Sequence, residues 1–583
     1  MKLSDYIVQF FVERAITDFF GYQGTMIAHL VDSIGKNAVA RNHACYNEQG
    51  AAFAVCGYAC TSGKCGVAYA TSGPGALNLV SGIANAYYDS IPVVFITGQV
   101  NTYEYTDLPN LRQAGFQETK TVDICRPITK YAVQISDASR VRFELEKAYY
   151  LATTGRPGPT LLDIPMNIQR TEVDPENLVG YEPEPQIAYE TDNILKGLQV
   201  ALQTAKRPVL LLGKGVQKTD WGIFRKFAEH LQLPVITSLR AKGFLPYTHP
   251  LNYGYMGGAY GNRYANMIVS GKSDLIIAVG YALCTRQTGT NVKKFAPNAK
   301  LIRFDVDPEE LKRKIKSDEQ GFVIDTRALA ELLRHEEVNW KKWESCNTGW
   351  LKFCAEYKKF AEEFDCSHPM RYPNRVVGAF NQWIGDSDII VSDVGQHMMW
   401  VGQSIHEKGN QDFLFSGGHG AMGYALPAAI GASIAAGART TYCFCGDGAI
   451  QMNIQELQWL KNENRDVVVV VFNNHALGMI TQLQDAYFNG AHFGTMTPDF
   501  SVPSFVKIAQ AYGIDAACTS DCDEIEIILR RRQKGKPFLL EFVFEDLTVA
   551  VPKTVLGEAI YNQEPLLPQE KLNEYLTDIC MES

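Results

Sequence analysis

The sequence predicts an α/β protein of three doubly wound parallel-sheet domains, and three observations carry that prediction. The chain has 583 residues, more than a single hydrophobic core supports and enough for about three or four domains. Short apolar runs that end in Gly, Ser or Asp alternate with helical stretches, as in parallel sheets covered on both faces. Residues 65–100 and 441–474 each read as strand, Gly-rich turn, helix, strand. Ser72 to Ile91 spans 19 positions and Gly446 to Asp466 spans 20, a shared layout that suggests an internal duplication, although such units recur in many folds.

The elements follow in order. The start, MKLSDYIVQFFVERAITDFF, carries acids inside its apolar stretch and has no small-residue cleavage pattern, so neither a signal peptide nor a membrane span is expected. Residues 1–175 form the first predicted domain. Its second strand, at Ile91 to Thr97, follows the turn Ser72-Gly73-Pro74-Gly75. A polar, Pro-containing linker covers residues 172–189. The second domain, residues 190–335, holds strands within RPVLLLGKGV, LPVITSL, DLIIAVG and KLIRFDVDP. A charged, Trp-containing helical connector is expected over residues 336–373. The third domain, residues 370–555, contains the 441–474 unit, with a helix from Asn453 to Asn462, and residues 556–583 form a tail.

Composition narrows the function. A formal charge of −9 with no basic run argues against nucleic-acid binding. Fourteen cysteines without paired CxxC spacing read as reduced thiols of a cytoplasmic protein.

The most informative residues lie in the 441–474 unit. Neighbouring strands of a right-handed βαβ unit end on one edge of the sheet, so Asp447, after the first strand, and Asn474, after the second, converge. Two hard oxygen ligands with open positions suit Mg²⁺ bound to a phosphate group. Gly446 and Gly448 let backbone N–H groups approach that phosphate. Gly-Asp-Gly alone is also ordinary turn chemistry; its pairing with Asn473-Asn474 makes it specific.

Further motifs surround this unit: FGYQG (20–24), NEQG (47–50), GFQET (115–119), RPITK (126–130), RPGPTLLDIP (156–165), SDVGQHMMW (392–400) and SGGHGAMGYALPAAIGA (416–432). Through them the chain resembles the thiamine-diphosphate-dependent enzymes, and within these the acetolactate (acetohydroxyacid) synthases. The resemblance implies pyrimidine-binding, central and diphosphate-binding domains. It implies that Glu48 contacts the pyrimidine of the cofactor, so that the cofactor's amino group can remove the C2 proton. The apolar run after Glu48 would raise its pKa by desolvation, while a simple helix-capping role stands as the alternative. Pro74 and Asn78 match the pyrimidine side, and Gln117 reaches the reacting centre. Gly420 offers a carbonyl to the cofactor's amino group, and Met422 wedges the cofactor into its bent form. Gly395, Gln396, His397, Gly446, Gly448, Ala449 and Met479 complete the cofactor-binding set. Asp447, Asn474 and the carbonyl of Ala476 match the metal ligands. Because pyrimidine and diphosphate are held by different subunits in such enzymes, a homodimer or homotetramer is implied.

The implied reaction decarboxylates pyruvate and transfers its two-carbon unit to a second carbonyl, with pyruvate the leading acceptor and 2-acetolactate the product. Arg286, in GYALCTRQTG, matches the arginine that holds the acceptor 2-oxo acid, and a planar fork suits a carboxylate. The alternative is a 2-oxo acid decarboxylase, or an acyloin synthase whose acceptor is a non-acid carbonyl such as a sugar-derived one. Leu483 replaces a tryptophan that favours 2-oxobutanoate, Cys284 and Thr285 replace an acidic pair, the loop 101–115 is longer than usual, and Gln23 stands where a proline is usual. FAD binding and a regulatory small subunit stay open. No membrane association is expected.

Overall fold

The computed structural model describes residues 1–105, 108, 110–184, 189–334 and 348–577. Three six-stranded, all-parallel sheets organise it. The first contains β1 (Asp18–Gly21), β2 (Arg41–Ala44), β3 (Gly66–Ala70), β4 (Val93–Gln99), β5 (Tyr131–Gln134) and β6 (Pro159–Pro165), in the order β2-β1-β3-β4-β6-β5. The second contains β7 (Pro208–Leu212), β8 (Val235–Thr237), β9 (Asn252–Tyr255), β10 (Leu275–Val279), β11 (Lys300–Asp305) and β12 (Gln320–Val323), in the order β12-β11-β10-β7-β8-β9. The third contains β13 (Ile389–Ser392), β14 (Asp412–Phe415), β15 (Thr441–Gly446), β16 (Val467–Asn473), β17 (Asp515–Thr519) and β18 (Phe538–Val543), in the order β14-β13-β15-β16-β18-β17.

Numbered from its own first strand, the third sheet repeats the order of the first, so the shared layout of the two Gly-rich units extends to the whole topology. The middle sheet instead reverses direction between β7 and β10, the arrangement of dinucleotide-binding sheets, whose ligands sit at that switch. The central strand β16, VVVVVFN, is buried along its full length, as a parallel strand covered on both faces must be.

Two Ala- and Gly-rich helices join the first and third units. Glu48–Ser62 and Ala425–Ala436 are buried almost all round and share one core, including Phe53, Ala54, Ala428 and Ala429. A Cβ at Gly57 would collide with the carbonyl oxygen of Ala428, and one at Gly431 with that of Ala54. Only glycine permits this approach. Polar clasps reinforce the joint. His43 on β2 bonds Asp18 Oδ1 and Glu463 Oε1, each at 2.8 Å, and Glu463 ends the helix Glu456–Glu463 of the third unit.

Several local expectations change. The helix expected over 453–462 is Glu456–Glu463; a turn at 452–455 separates it from an earlier helix, Asp447–Gln451, at the Gly-Asp-Gly segment. The strand expected at 91–97 runs from Val93 to Gln99. The connector contains the helix Thr348–Ser367, while its residues 336–347 lie outside the described residues, as do 185–188 of the first linker, 106, 107 and 109 of the long loop, and 578–583 of the tail. The described tail folds back on the middle unit: Gln563–Glu564 pairs with Lys553–Thr554, and Leu572, Tyr575 and Leu576 pack against its core. Among the described residues the cysteines are free. Cys443 and Cys445 are buried, whereas Cys284, Cys366 and Cys518 are exposed. No helix among the described residues is long and apolar enough to cross a membrane.

Candidate active site

The Gly-Asp-Gly turn sits where β15 ends, and Asn473-Asn474 follows β16 on the same edge. Asp447 is buried, and its Oδ1 accepts from the Gly448 N–H at 2.7 Å. Its Oδ2 and the Asn474 Oδ1 both accept from the Ala476 N–H, each at 3.3 Å. The two oxygens therefore converge on one point, as the strand geometry predicts. Burial pushes the Asp447 carboxyl up to about 6, against the lowering effect of neighbouring N–H groups. The Asn474 amide nitrogen donates to Thr548 Oγ1 at 2.8 Å, which keeps its oxygen turned toward Asp447. No group of three or more His, Cys, Asp or Glu side chains suited to a metal occurs among the described residues. One carboxylate and one amide oxygen fit a hard cation that keeps positions for water and phosphate oxygens.

Around this clamp, backbone and side chains approach closely. A Cβ on Gly448 would sit 2.5 Å from Leu477 Cδ2 and 3.6 Å from Met422 Cε, and one on Gly446 would sit 3.0 Å from the His397 ring. Gln396 donates to the carbonyls of Gly478 and Thr548, both at 2.8 Å, and to Gln482 Oε1 at 3.1 Å. His397, two residues past Gly395, is buried, and burial drives its pKa down to about 3, so its imidazole is neutral. Its Nε2 is buried without a partner. An orphaned ring nitrogen beside the clamp fits a hydrogen-bonding ligand.

Asp393 organises the segment that carries Gly420 and Met422. Its carboxylate accepts from the N–H groups of Val394 at 2.8 Å, Gly423 at 3.0 Å and Ala425 at 2.9 Å. Burial raises this carboxyl to about 6. Gly420 and Gly423 take left-handed φ values of 72° and 83°, so the chain can turn tightly before the helix Ala425–Ala436. Asp393 and Thr548 escaped the sequence reading; Asp393 lay inside the SDVGQHMMW motif, whereas Thr548 gave no sequence signal.

The first unit holds a second cluster. Asn47, not Glu48, caps the helix Glu48–Ser62, its Oδ1 accepting from the Gln49 N–H at 2.8 Å. That leaves the buried Glu48 carboxylate free of the capping role, and its Oε2 accepts from Asn78 Nδ2 at 2.9 Å. A Cβ on Gly75 would come within 2.9 Å of Glu48 Oε1, so the turn that opens at Gly73-Pro74 lies directly on this carboxylate. Gln117 has φ of 64°, outside the usual range for a side-chain residue, and packs against Gly73. Behind Glu48 stands Glu456 of the third unit, which the sequence reading also missed. It is fully buried, accepts from the Tyr46 N–H at 3.1 Å, and is pushed to about 7 by burial and then by the charge of Glu48.

A cavity of about 1340 Å³ is lined by Gly395, Gln396, His397, Gly420, Met422, Gly446, Asp447, Gly448, Ala449, Asn474, Ala476 and Met479, together with Arg286. Arg286 lies on the short helix Thr285–Thr288, exposed to this cavity. The cavity continues to the switch point of the middle sheet, along Gly213, Lys214 and Gly215 after β7 and Gly280 after β10. There a Cβ on Gly213 would collide with the Gly280 carbonyl oxygen, so two bare backbone turns form the floor. Glu48, Pro74, Asn78 and Gln117 do not line the cavity. One chain thus carries two separate clusters, one at each Gly-rich unit.

Residues 1–124 match the N-terminal thiamine pyrophosphate-binding domain of thiamine pyrophosphate enzymes, 195–333 the central domain, and 393–542 the C-terminal thiamine pyrophosphate-binding domain. The acetolactate synthase large subunit of Lactococcus lactis is 35% identical over 563 residues, covering 95% of this chain and 94% of that one. The chain belongs to the acetolactate synthase family of thiamine pyrophosphate enzymes. The probable acetolactate synthase large subunit of Methanocaldococcus jannaschii, 33% identical over 599 residues, covers 98% and 97% of the two chains, and acetolactate synthase 1 of Oryza sativa, chloroplastic, is 35% identical over 584 residues, 96% of this chain and 87% of the relative. The two cofactor-binding matches fall in the two units of identical strand order, the first covering β1 to β4 of its sheet, and the central match covers the sheet of dinucleotide-binding order.

Proposed function

We propose that this protein condenses two molecules of pyruvate to 2-acetolactate and CO₂, using thiamine diphosphate (thiamine pyrophosphate) and Mg²⁺. The observation that carries this reading is the placement of Arg286 in the same cavity as the Asp447–Asn474 clamp. A carboxylate-binding fork thereby faces the place where the cofactor's diphosphate would be held. The full-length match to acetolactate synthases favours this over a simple decarboxylase or an acyloin synthase. Leu483, on the helix Gly478–Tyr487, stands where the resemblance places a tryptophan that favours 2-oxobutanoate, and its presence supports pyruvate as the acceptor.

Thiamine diphosphate, when bound, supplies a carbon nucleophile for the keto carbon of pyruvate and takes up the electrons released as CO₂ departs. Asp447, Asn474 and the Ala476 carbonyl would hold the metal, and His397 Nε2 and the Gly448 and Ala449 backbone would bind the diphosphate. Gln396 holds Gly478 and so fixes the segment leading to Met479. Asp393 fastens the segment that carries Gly420 and Met422, two residues that would hold the cofactor. Glu48, its carboxylate fixed by the Asn78 amide, would hand a proton to the cofactor's pyrimidine, Pro74 would help hold that ring, and Gln117 would border the substrate. Arg286 binds the carboxylate of the second pyruvate.

Since the Glu48 cluster and the clamp lie apart in one chain, a complete site needs two copies, and the protein works as a homodimer or a tetramer built from it. The Gly-lined switch point of the middle sheet suits a dinucleotide, and FAD is the ligand proposed there. A cytoplasmic setting keeps the free cysteines reduced. The test is product identification from pyruvate, Mg²⁺ and thiamine diphosphate, with and without FAD, for the native protein and Arg286→Ala. Acetolactate from the native protein and its collapse in Arg286→Ala are expected; undiminished acetolactate in the variant refutes the role of Arg286.

A further inference from the structure

Tyr260 lines the central cavity together with Arg286 and Met479. Its phenol O–H donates to Met479 Sδ at 3.5 Å, and a thioether is a weak acceptor for so strong a donor. Arg286 makes no hydrogen bond or ion pair among the described residues, and its charge acts on the Tyr260 phenol, which burial otherwise raises. Two strong donors therefore line one cavity, and neither side chain is bonded to a strong acceptor among the described residues; the Glu564 carboxylate, which also acts on the Tyr260 phenol, is paired with Lys553 at 3.2 Å.

The Tyr260 backbone is held in place. Its carbonyl accepts from the Tyr255 hydroxyl at 2.7 Å and from Gln403 Nε2 at 2.9 Å, and the Thr554 N–H donates to the Ala259 carbonyl at 2.8 Å. A Cβ on Gly258 would stand 2.7 Å from the Gln287 carbonyl oxygen and 2.8 Å from that of Arg286. Gly258 thus lets the loop bearing Tyr260 lie directly on the helix bearing Arg286. A tyrosine needed only to fill space has no use for a loop fixed against the arginine.

We propose that Tyr260 is a second acceptor-binding residue, whose hydroxyl leaves Met479 and, with Arg286, holds the two oxygens of the acceptor carboxylate. This rests on the acetolactate reading above. A held acceptor is captured by carbon–carbon bond formation, so that two pyruvates and one proton give acetolactate and CO₂. An acceptor that is not held leaves the two-carbon unit to be protonated, so that one pyruvate and one proton give acetaldehyde and CO₂.

The experiment measures the acetolactate-to-acetaldehyde ratio and the thermal midpoint for the cofactor-loaded enzyme, Tyr260→Phe, Arg286→Ala and the double variant. Tyr260→Phe removes one hydrogen bond to a charged group while keeping the ring, so its ratio falls about tenfold at an unchanged midpoint. If both residues hold one carboxylate, the double variant lies within about twofold of Arg286→Ala. A ratio unchanged in Tyr260→Phe while Arg286→Ala collapses overturns the proposal and leaves the acetolactate reading standing. So do losses that multiply in the double variant, or a fall in ratio that accompanies a midpoint several degrees lower. A native enzyme that forms no acetolactate from pyruvate overturns both.

Discussion

Replacing Asp447 by asparagine should stabilise the protein when no metal or cofactor is present and abolish the stabilisation that Mg²⁺ and thiamine diphosphate confer. A carboxyl raised from 3.8 to about 6 by burial costs about 3 kcal/mol to keep ionised at neutral pH. Asparagine removes that charge and keeps an oxygen for the Gly448 N–H, now at 2.7 Å. Its NH₂ group cannot replace the oxygen that accepts from Ala476, and losing that bond returns about 1 kcal/mol. The net gain is about 2 kcal/mol, or roughly 4 to 8 °C in the melting of the affected domain. Thermal unfolding of both proteins, with and without Mg²⁺ plus thiamine diphosphate, checks this. The native protein should rise on addition of both and the variant should not, so that the order of stability inverts. A variant less stable than the native protein in the absence of ligands, or equally stabilised by them, refutes a buried carboxylate held ready for a cation.

Three further outcomes are expected. Glu48→Gln keeps an oxygen for the Asn78 amide and should fold normally, yet lose about 10²- to 10⁴-fold in turnover, the range for a lost proton-handling group; steady-state product formation measures it. Gly431→Ala drives a methyl group into the Ala54 carbonyl and should cost about 1 to 3 kcal/mol or more, seen as a lowered midpoint in thermal unfolding, whereas the same change at exposed, unobstructed Gly222, in the helix Trp221–Leu231, should cost far less. The His43 clasp makes stability depend on pH. Burial would lower His43 below 6.5, but its bonds to Asp18 and Glu463 outweigh this and raise it, so its contribution is complete below 6.5 and fades as pH rises through the raised value. Burial alone would raise Asp18, but His43 and Arg41 bring it to about 2, so its share is complete above 3.8 and is lost as pH falls through about 2. Burial alone would raise Glu463 as well, but His43 holds it below 4.5, so its share is complete above 4.5. The stability difference between the native protein and His43→Gln should therefore be largest between pH 4.5 and 6.5, and a difference that does not vary with pH contradicts the clasp.

Local signals carried much of this architecture into the sequence. Gly446-Asp447-Gly448 and Asn473-Asn474 each close a strand, and the parallel βαβ rule brings strand ends together, so the convergence of Asp447 and Asn474 was legible from spacing alone. The similar spacing of the two Gly-rich units, 19 and 20 positions, likewise suggested a duplication, and the two sheets share one strand order. What escaped depends on long-range contacts or on weak local pattern. β9 (NYGY) and β12 (QGFV) are edge strands without an apolar run, and β12 is largely exposed. Glu456 is buried only because the third unit docks on the first across Gly50, and Thr548 meets Asn474 from a segment 74 positions away. Tyr260 reads as one aromatic among several until Gly258 sets its loop against Arg286. The role of Glu48 was balanced against capping until Asn47 proved to be the cap.

The most direct measurement of the central claim is the carbon balance when the protein turns over pyruvate with Mg²⁺ and thiamine diphosphate. One CO₂ and one acetolactate for every two pyruvates consumed, with dependence on both cofactors, is the predicted result. One acetaldehyde and one CO₂ for each pyruvate, or no consumption at all, would contradict it.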